Sequence, residues 1–119
     1  MNNAMTYEAF RSFLNFSTFL VNLLTMTAEE LALLYSETEL SSFAAACRRR
    51  DERAYKAFVS CFPGGEAELL ATSEDDYTAI DRGYANECAK WGNLAMHITD
   101  AIMVVRRNNR VACESMMAL

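Results

Sequence analysis

Few residues in this chain of 119 are equipped for chemistry. It holds one histidine, His97, so a metal site built from several histidines is impossible within one copy. His97 and Asp100 stand three apart, on one face of any helix that carries them. That spacing suits a general base and the carboxylate that orients it. The same pair also reads as partly solvated groups beside a core stripe, because Ile98 rather than His97 falls on that stripe. The four cysteines, Cys47, Cys61, Cys88 and Cys113, lie 14, 27 and 25 residues apart with no CxxC pair. Such spacing matches neither a zinc site nor a dense disulfide framework. Each has apolar neighbours in a helical pattern, so buried free thiols in a reducing compartment are expected. A Cys–His pair using Cys88 or Cys113 would need an electropositive setting for the thiol. No GxSxG elbow offers a serine nucleophile, and the four glycines form neither a P-loop nor a dinucleotide fingerprint. Glu74-Asp75-Asp76 could hold a divalent cation, but acids at a helix start ordinarily satisfy free amides and complement the dipole. No catalytic, cofactor-binding or metal-ligating residue is assigned, and the chain is read as a protein that is not an enzyme.

Charge carries more information than chemistry, because it is blocky. The net charge is −5, yet residues 1–47 sum to −4, 48–65 to +3, 66–81 to −6 and 82–119 to +2. Glu66, Glu68, Glu74, Asp75, Asp76 and Asp81 form an acidic segment with no base inside it, and Glu29, Glu30, Glu37 and Glu39 form a second acidic stretch. These acids read either as a solvated face with helix caps or as a surface that docks on a basic site of another protein. The opposing block contains Arg48, Arg49, Arg50, Arg53 and Lys56, of which Arg49, Arg53 and Lys56 share one helical face. Salt bridging to the acidic stretches is the commoner fate of such a block.

The elements that would hold these groups are helical. Hydrophobic residues make up 52% and charged residues 23%, an ordinary soluble composition, while one proline and four glycines are too little punctuation for a sandwich or barrel. Thr6 is placed to cap a first helix running to about Leu24, with Tyr7, Phe10, Phe13, Leu14, Phe16, Leu20, Leu23 and Leu24 at helical spacing. Thr27 and Glu30 form a capping box with Met26 and Leu31 as its staple. Ser36 and Glu39 repeat the box with Tyr35 and Leu40. Residues 37–62 then form one helix or two meeting at Asp51, and Pro63-Gly64-Gly65 ends the element. A short turn from Glu66 to Ala71 follows, and Ser73 and Asp76 offer another N-cap. From Tyr77 the apolar positions Tyr77, Ile80, Tyr84, Cys88, Trp91, Ala95, Ile98, Ile102 and Val105 step by threes and fours, which predicts a long C-terminal helix with a heptad-like seam. Gly83, Ala85, Ala89 and Gly92 put small surfaces beside the seam, where another helix can approach closely. Arg106 and Arg107 suit its C-terminal end and Asn108-Asn109 its stop. A tail helix with Val111, Met116, Met117 and Leu119 is expected to pack back.

The stretch from Phe13 to Met26 is the sole candidate targeting segment. Its Asn15, Ser17, Thr18, Asn22 and Thr25 are polar, and it falls short of the roughly 20 apolar residues of a membrane span. Glu8 and Arg11 cancel ahead of it, so the positive region of a secretory signal is missing. A cytoplasmic protein without membrane contact is expected.

The expected fold is all-α: a single-domain bundle (1–119) of about five helices with one long C-terminal helix. By elimination the expected function is non-catalytic protein binding, by a regulator or inhibitor that occludes a surface on a larger enzyme or nucleoprotein complex. Phage and mobile-element proteins that block host defence, anti-CRISPR proteins among them, are often short, acidic, helical and free of motifs. That likeness is one of size and composition and reaches no individual position. The expected partner is a larger host protein or nucleoprotein complex with a basic surface, with a second copy of this chain, joined through the helix around Trp91, compatible as well. One alternative is a helix-turn-helix-like DNA-binding regulator spanning Thr27 to Arg50. Against it, the end of the helix that would read base edges carries Glu37 and Glu39, which phosphates repel. A second alternative is a small enzyme relying on His97.

Overall fold

The structure is a computed structural model that describes residues 6–117. In chain order these form α1 (Tyr7–Asn22), a 3-10 turn (Leu23–Thr25), α2 (Ala28–Leu34), α3 (Glu37–Ser60), α4 (Gly65–Ala71), a second 3-10 turn (Glu74–Asp76) and α5 (Ala79–Met117). The described residues include no strand, so the all-α bundle with one long C-terminal helix is what the sequence adopts.

Side-chain caps start four of the five helices. Thr6 accepts from the Ala9 amide at 3.1 Å. Both boxes read from the sequence form, Thr27 with Glu30 (3.1 and 3.2 Å) and Ser36 with Glu39 (3.1 and 3.0 Å). Each satisfies amides that a helix start leaves without partners. A third box begins α5: Asp81 N–H donates to Thr78 Oγ1 at 3.1 Å, and Thr78 N–H donates to the Asp81 carboxylate at 2.9 Å. The fifth helix, α4, has no side-chain cap and instead enters through Gly65 at φ 72°, a left-handed conformation that glycine adopts without steric cost.

Of the two alternatives open for residues 37–62, the single helix forms: α3 runs straight through Asp51, because the Arg48–Arg53 run contains neither proline nor glycine to interrupt it. Other local expectations are corrected. Residues 65–71 form a helix rather than a turn, anchored by buried Leu69. Helix α5 is capped by Thr78, and Ser73 instead caps the short 3-10 turn before it. Finally, Asn108-Asn109 do not stop α5, which runs unbroken to Met117. Asparagine in a helix costs only about 0.7 kcal/mol against alanine, too little to end one with favourable residues on both sides. The tail does not pack back, since Val111, Met116 and Met117 are exposed; Leu119 lies outside the described residues.

The bundle has two apolar clusters. The larger joins α1, α2, α3 and α5 through Leu20, Leu23, Leu31, Leu40, Ala44, Cys47, Leu94, Ile98 and Ile102. Phe16, Phe19, Tyr35 and Phe43 pack at its edge, mostly with rings edge to face. The smaller consists of Phe58, Phe62 and Leu69 with Tyr77 against them, and it fastens α4 and the second 3-10 turn to the bundle. Of the heptad-like seam, Trp91, Ala95, Ile98 and Ile102 are consumed inside this one chain. A pairing of two copies through those residues would have to open the bundle. Gly92 marks the close approach of α3, where an added Cβ would lie 3.5 Å from the Asp51 carboxylate, whereas Gly83 faces open space. The free end of α5 stretches the molecule to 64 × 37 × 26 Å. Its radius of gyration, 18.7 Å, exceeds the ~13–14 Å of a compact chain of this length.

Candidate functional site

Phe58, Phe62, Leu69 and Tyr77 hold the acidic segment as a firm ledge at one end of the bundle. Glu66 and Glu68 lie in the first turn of α4, and Glu74, Asp75 and Asp76 make up the 3-10 turn. All five are exposed, and among the described residues none has a lysine or arginine within 4.0 Å. Arg82 is the nearby cation, yet its guanidinium donates to the main-chain oxygens of Tyr77 and Glu74, both at 3.3 Å. Glu68 accepts from the Gly64 amide across the turn. Partial burial, reinforced by Glu66, pushes the Tyr55 hydroxyl up from its ordinary pKa.

Asp81 does not belong to this surface. It is 7% exposed and serves as the box residue of α5, and its carboxylate also faces Cys61, whose thiol is pushed up first by burial and then by that charge. The acidic expectation is corrected here because a carboxylate at the third position of a helix turns back to cap it.

The basic block divides in a comparable way. Arg49, Arg53 and Lys56 are exposed on one face of α3, and Lys56 pairs with Glu52 at 3.4 Å with both side chains largely in solvent. Arg48 points to the other side and donates to Thr99 Oγ1 at 3.3 Å. Arg50 is not in the patch at all. It is 8% exposed because its position falls in phase with Ala46 and Cys47, on the face that α1 covers. Helices α2 and α3 do meet through a short turn, but Glu37 at the start of α3 is engaged by Arg106 of α5.

His97 is half-buried, and its Nε2–H donates to the Met26 main-chain oxygen at 2.7 Å. It ties α5 to the junction between α1 and α2 and has no bond to Asp100 among the described contacts. Cys47 is fully buried, with its thiol pushed up to about 11 by burial against the opposing pull of Arg50 and Arg48. Burial likewise raises Cys88, helped by Asp51. Only Cys47 of the four is buried; Cys61 and Cys88 are half-buried and Cys113 is exposed on the free end of α5, which corrects the expectation that all four thiols are buried. Among the described residues no three histidine, cysteine or acidic side chains come together as a metal site, and no helix is long and apolar enough to cross a membrane.

Sequence reasoning missed a groove between the two apolar clusters, where α1, α3 and α5 meet. It encloses about 440 Å³ and is lined by Phe13, Leu14, Arg50, Arg53, Tyr84 and Trp91, among others. Its signal was present in the phase of Arg50 on α3, but its walls come from three helices whose mutual placement no local pattern states. Compared with known proteins, the chain matches no family, no curated protein and no solved structure.

Proposed function

We propose that this chain is a non-catalytic, protein-binding regulator or inhibitor that docks its acidic ledge on a basic surface of a larger enzyme or nucleoprotein complex. One observation carries the reading: Glu66, Glu68, Glu74, Asp75 and Asp76 are exposed, lack ion-pair partners among the described residues, and sit on elements fixed by the Phe58–Tyr77 cluster. Unpaired like charges repel one another and cost stability. Their placement on a firmly packed ledge suits a surface to which an opposite charge arrives from outside. Fixed acids of this kind steer encounter and suppress wrong partners. Proteins of phages and mobile elements that block a host defence system are one setting for such an inhibitor.

The test is affinity capture by the tagged protein from its native host, with elution by rising salt. The expected result is a larger protein with a basic surface, released progressively because its contacts are screened. Retention of nothing above background, or of a partner indifferent to salt, would contradict the reading.

A further inference from the structure

We propose that the groove between α1, α3 and α5 is a binding site for a planar aromatic anion, a flat ring system bearing one carboxylate or phosphate. The proposal concerns a second site, on a different part of the surface from the acidic ledge, and does not depend on it.

The charge requirement comes from Arg50. Arg50 is 8% exposed as a whole residue and lines the groove, yet no carboxylate lies within 4.0 Å of its guanidinium among the described residues. Its bonds go to neutral acceptors: Nε to Ser17 Oγ at 2.9 Å, Nη1 to Ala46 O at 3.2 Å and Nη2 to Phe13 O at 3.4 Å. Three of five N–H groups are thereby used, leaving one on each terminal nitrogen. Aromatic faces supply partial compensation, since the guanidinium carbon lies 4.3 Å from the Phe13 ring centre, 5.3 Å from Phe16 and 5.5 Å from Trp91. A buried cation held only by ring faces and neutral oxygens remains short of a counter-ion. Burial, together with Arg53 and Arg49, pulls Arg50 below its ordinary value, in the direction that an arriving anion would reverse.

The rest of the lining points the same way. Arg53 is exposed at the mouth, 4.8 Å from the Phe13 ring centre, and has no acid within 4.0 Å among the described residues. The one acid of the groove, Glu87, is already occupied by Lys90 at 2.9 Å and by the Trp91 indole N–H at 3.1 Å. The groove therefore offers Arg50 and Arg53 to an anion with no free carboxylate to repel it. Phe13, Tyr84 and Trp91 with Leu14, Ala54 and Ala57 make the remaining wall predominantly apolar and aromatic. A volume of about 440 Å³ falls within the range of small-molecule sites, in which an apolar wall binds the body and a few polar groups orient the head.

Trp91 is the only tryptophan, so its indole N–H gives one resonance in a nitrogen-15 correlation spectrum and reports on this groove alone. The probes are 2-naphthoate, 2-naphthyl phosphate and the uncharged 2-naphthamide, which shares the naphthoate shape. We expect saturable movement of the Trp91 resonance with both anions, and binding of 2-naphthoate about tenfold or more tighter than of 2-naphthamide, the worth of one charge-assisted contact. The Arg53→Gln variant should weaken that charge preference without removing it, since Arg50 remains, and should leave the thermal transition in place because Arg53 is exposed. Ala57→Leu, which fills the groove without altering charge, should abolish binding of all three probes. Equal binding of acid and amide, or an indole resonance that no probe moves, would overturn the proposal. So would a resonance that shifts with protein concentration alone, since a second copy would then occupy the groove, or saturation by a single-stranded oligonucleotide in preference to the naphthyl anions.

Discussion

Cys47, with no exposed surface at the centre of the bundle, behaves as a small hydrocarbon until base forces it to ionise. Its thiol rises from an ordinary 9.0 to about 11, so folding favours the neutral form. Stability from this group is fully present below the unfolded value and is lost as pH rises through the folded one. Denaturation midpoints should therefore fall between pH 9 and 11, with Cys47 contributing on the order of 2 kcal/mol. Cys61, Cys88 and Tyr55 are shifted the same way and deepen the loss. Urea titrations across that window measure it, and Cys47→Ala should flatten the slope; an unchanged slope would contradict this account of Cys47. His97 gives a second prediction at this scale. Its bond to Met26 makes it a tie between elements, so His97→Ala should cost about 1–2 kcal/mol and leave partner capture intact. Full stability with lost function would instead favour the enzyme reading. Arg50 and Asp81 show why residue identity alone misleads. Each counts as surface charge by type, yet Arg50 lies under Ser17 and Phe13 of α1, and Asp81 turns back into its local capping box with Thr78 and faces Cys61.

At the scale of elements, the capping boxes and staples at Thr27 and Ser36 were legible because each is a local bond pattern written within four residues. Thr78 and Asp81 form the same pattern, so the start of α5 was also within reach. The far end was not, because a stop resting on Asn108-Asn109 involves a propensity too weak to decide. The small helix α4 was illegible for a different reason: a seven-residue segment is unstable alone and exists through Leu69 packing on Phe58 and Phe62. Asp81→Ala should destabilise the fold by about 1–2 kcal/mol through loss of the carboxylate half of the α5 capping box, which leaves the Thr78 amide without its partner, readable as a lowered melting temperature. The basic face of α3 allows another test. If Arg49 and Arg53 serve phosphates, the protein should be retained on DNA at low salt and released by Arg49→Ala with Arg53→Ala. With Glu37 and Glu39 at the leading end of that helix, we expect no retention by the unaltered protein; strong retention would support the DNA-binding alternative.

Over the whole molecule, α5 separates charge. The acidic ledge stands beside its beginning, whereas Arg107 and Arg110 are exposed toward its end with no acid within 4.0 Å among the described residues. An axis of 64 Å is several screening lengths at physiological salt, so each pole acts on its surroundings independently. A single net charge of −5 describes neither. The acidic blocks could be counted from the sequence, but their assembly into a ledge required the Phe58–Tyr77 cluster that fastens α4 and the following turn. We propose that this ledge is the surface that meets the partner. Its most direct test is the affinity of the captured partner for the unaltered protein and for the Glu66→Lys, Glu74→Lys, Asp75→Lys variant, matched for folding by circular dichroism. Loss of about tenfold or more in affinity is the result the account requires, the effect of reversing charges at a complementary interface. Unchanged affinity in a folded variant would contradict it.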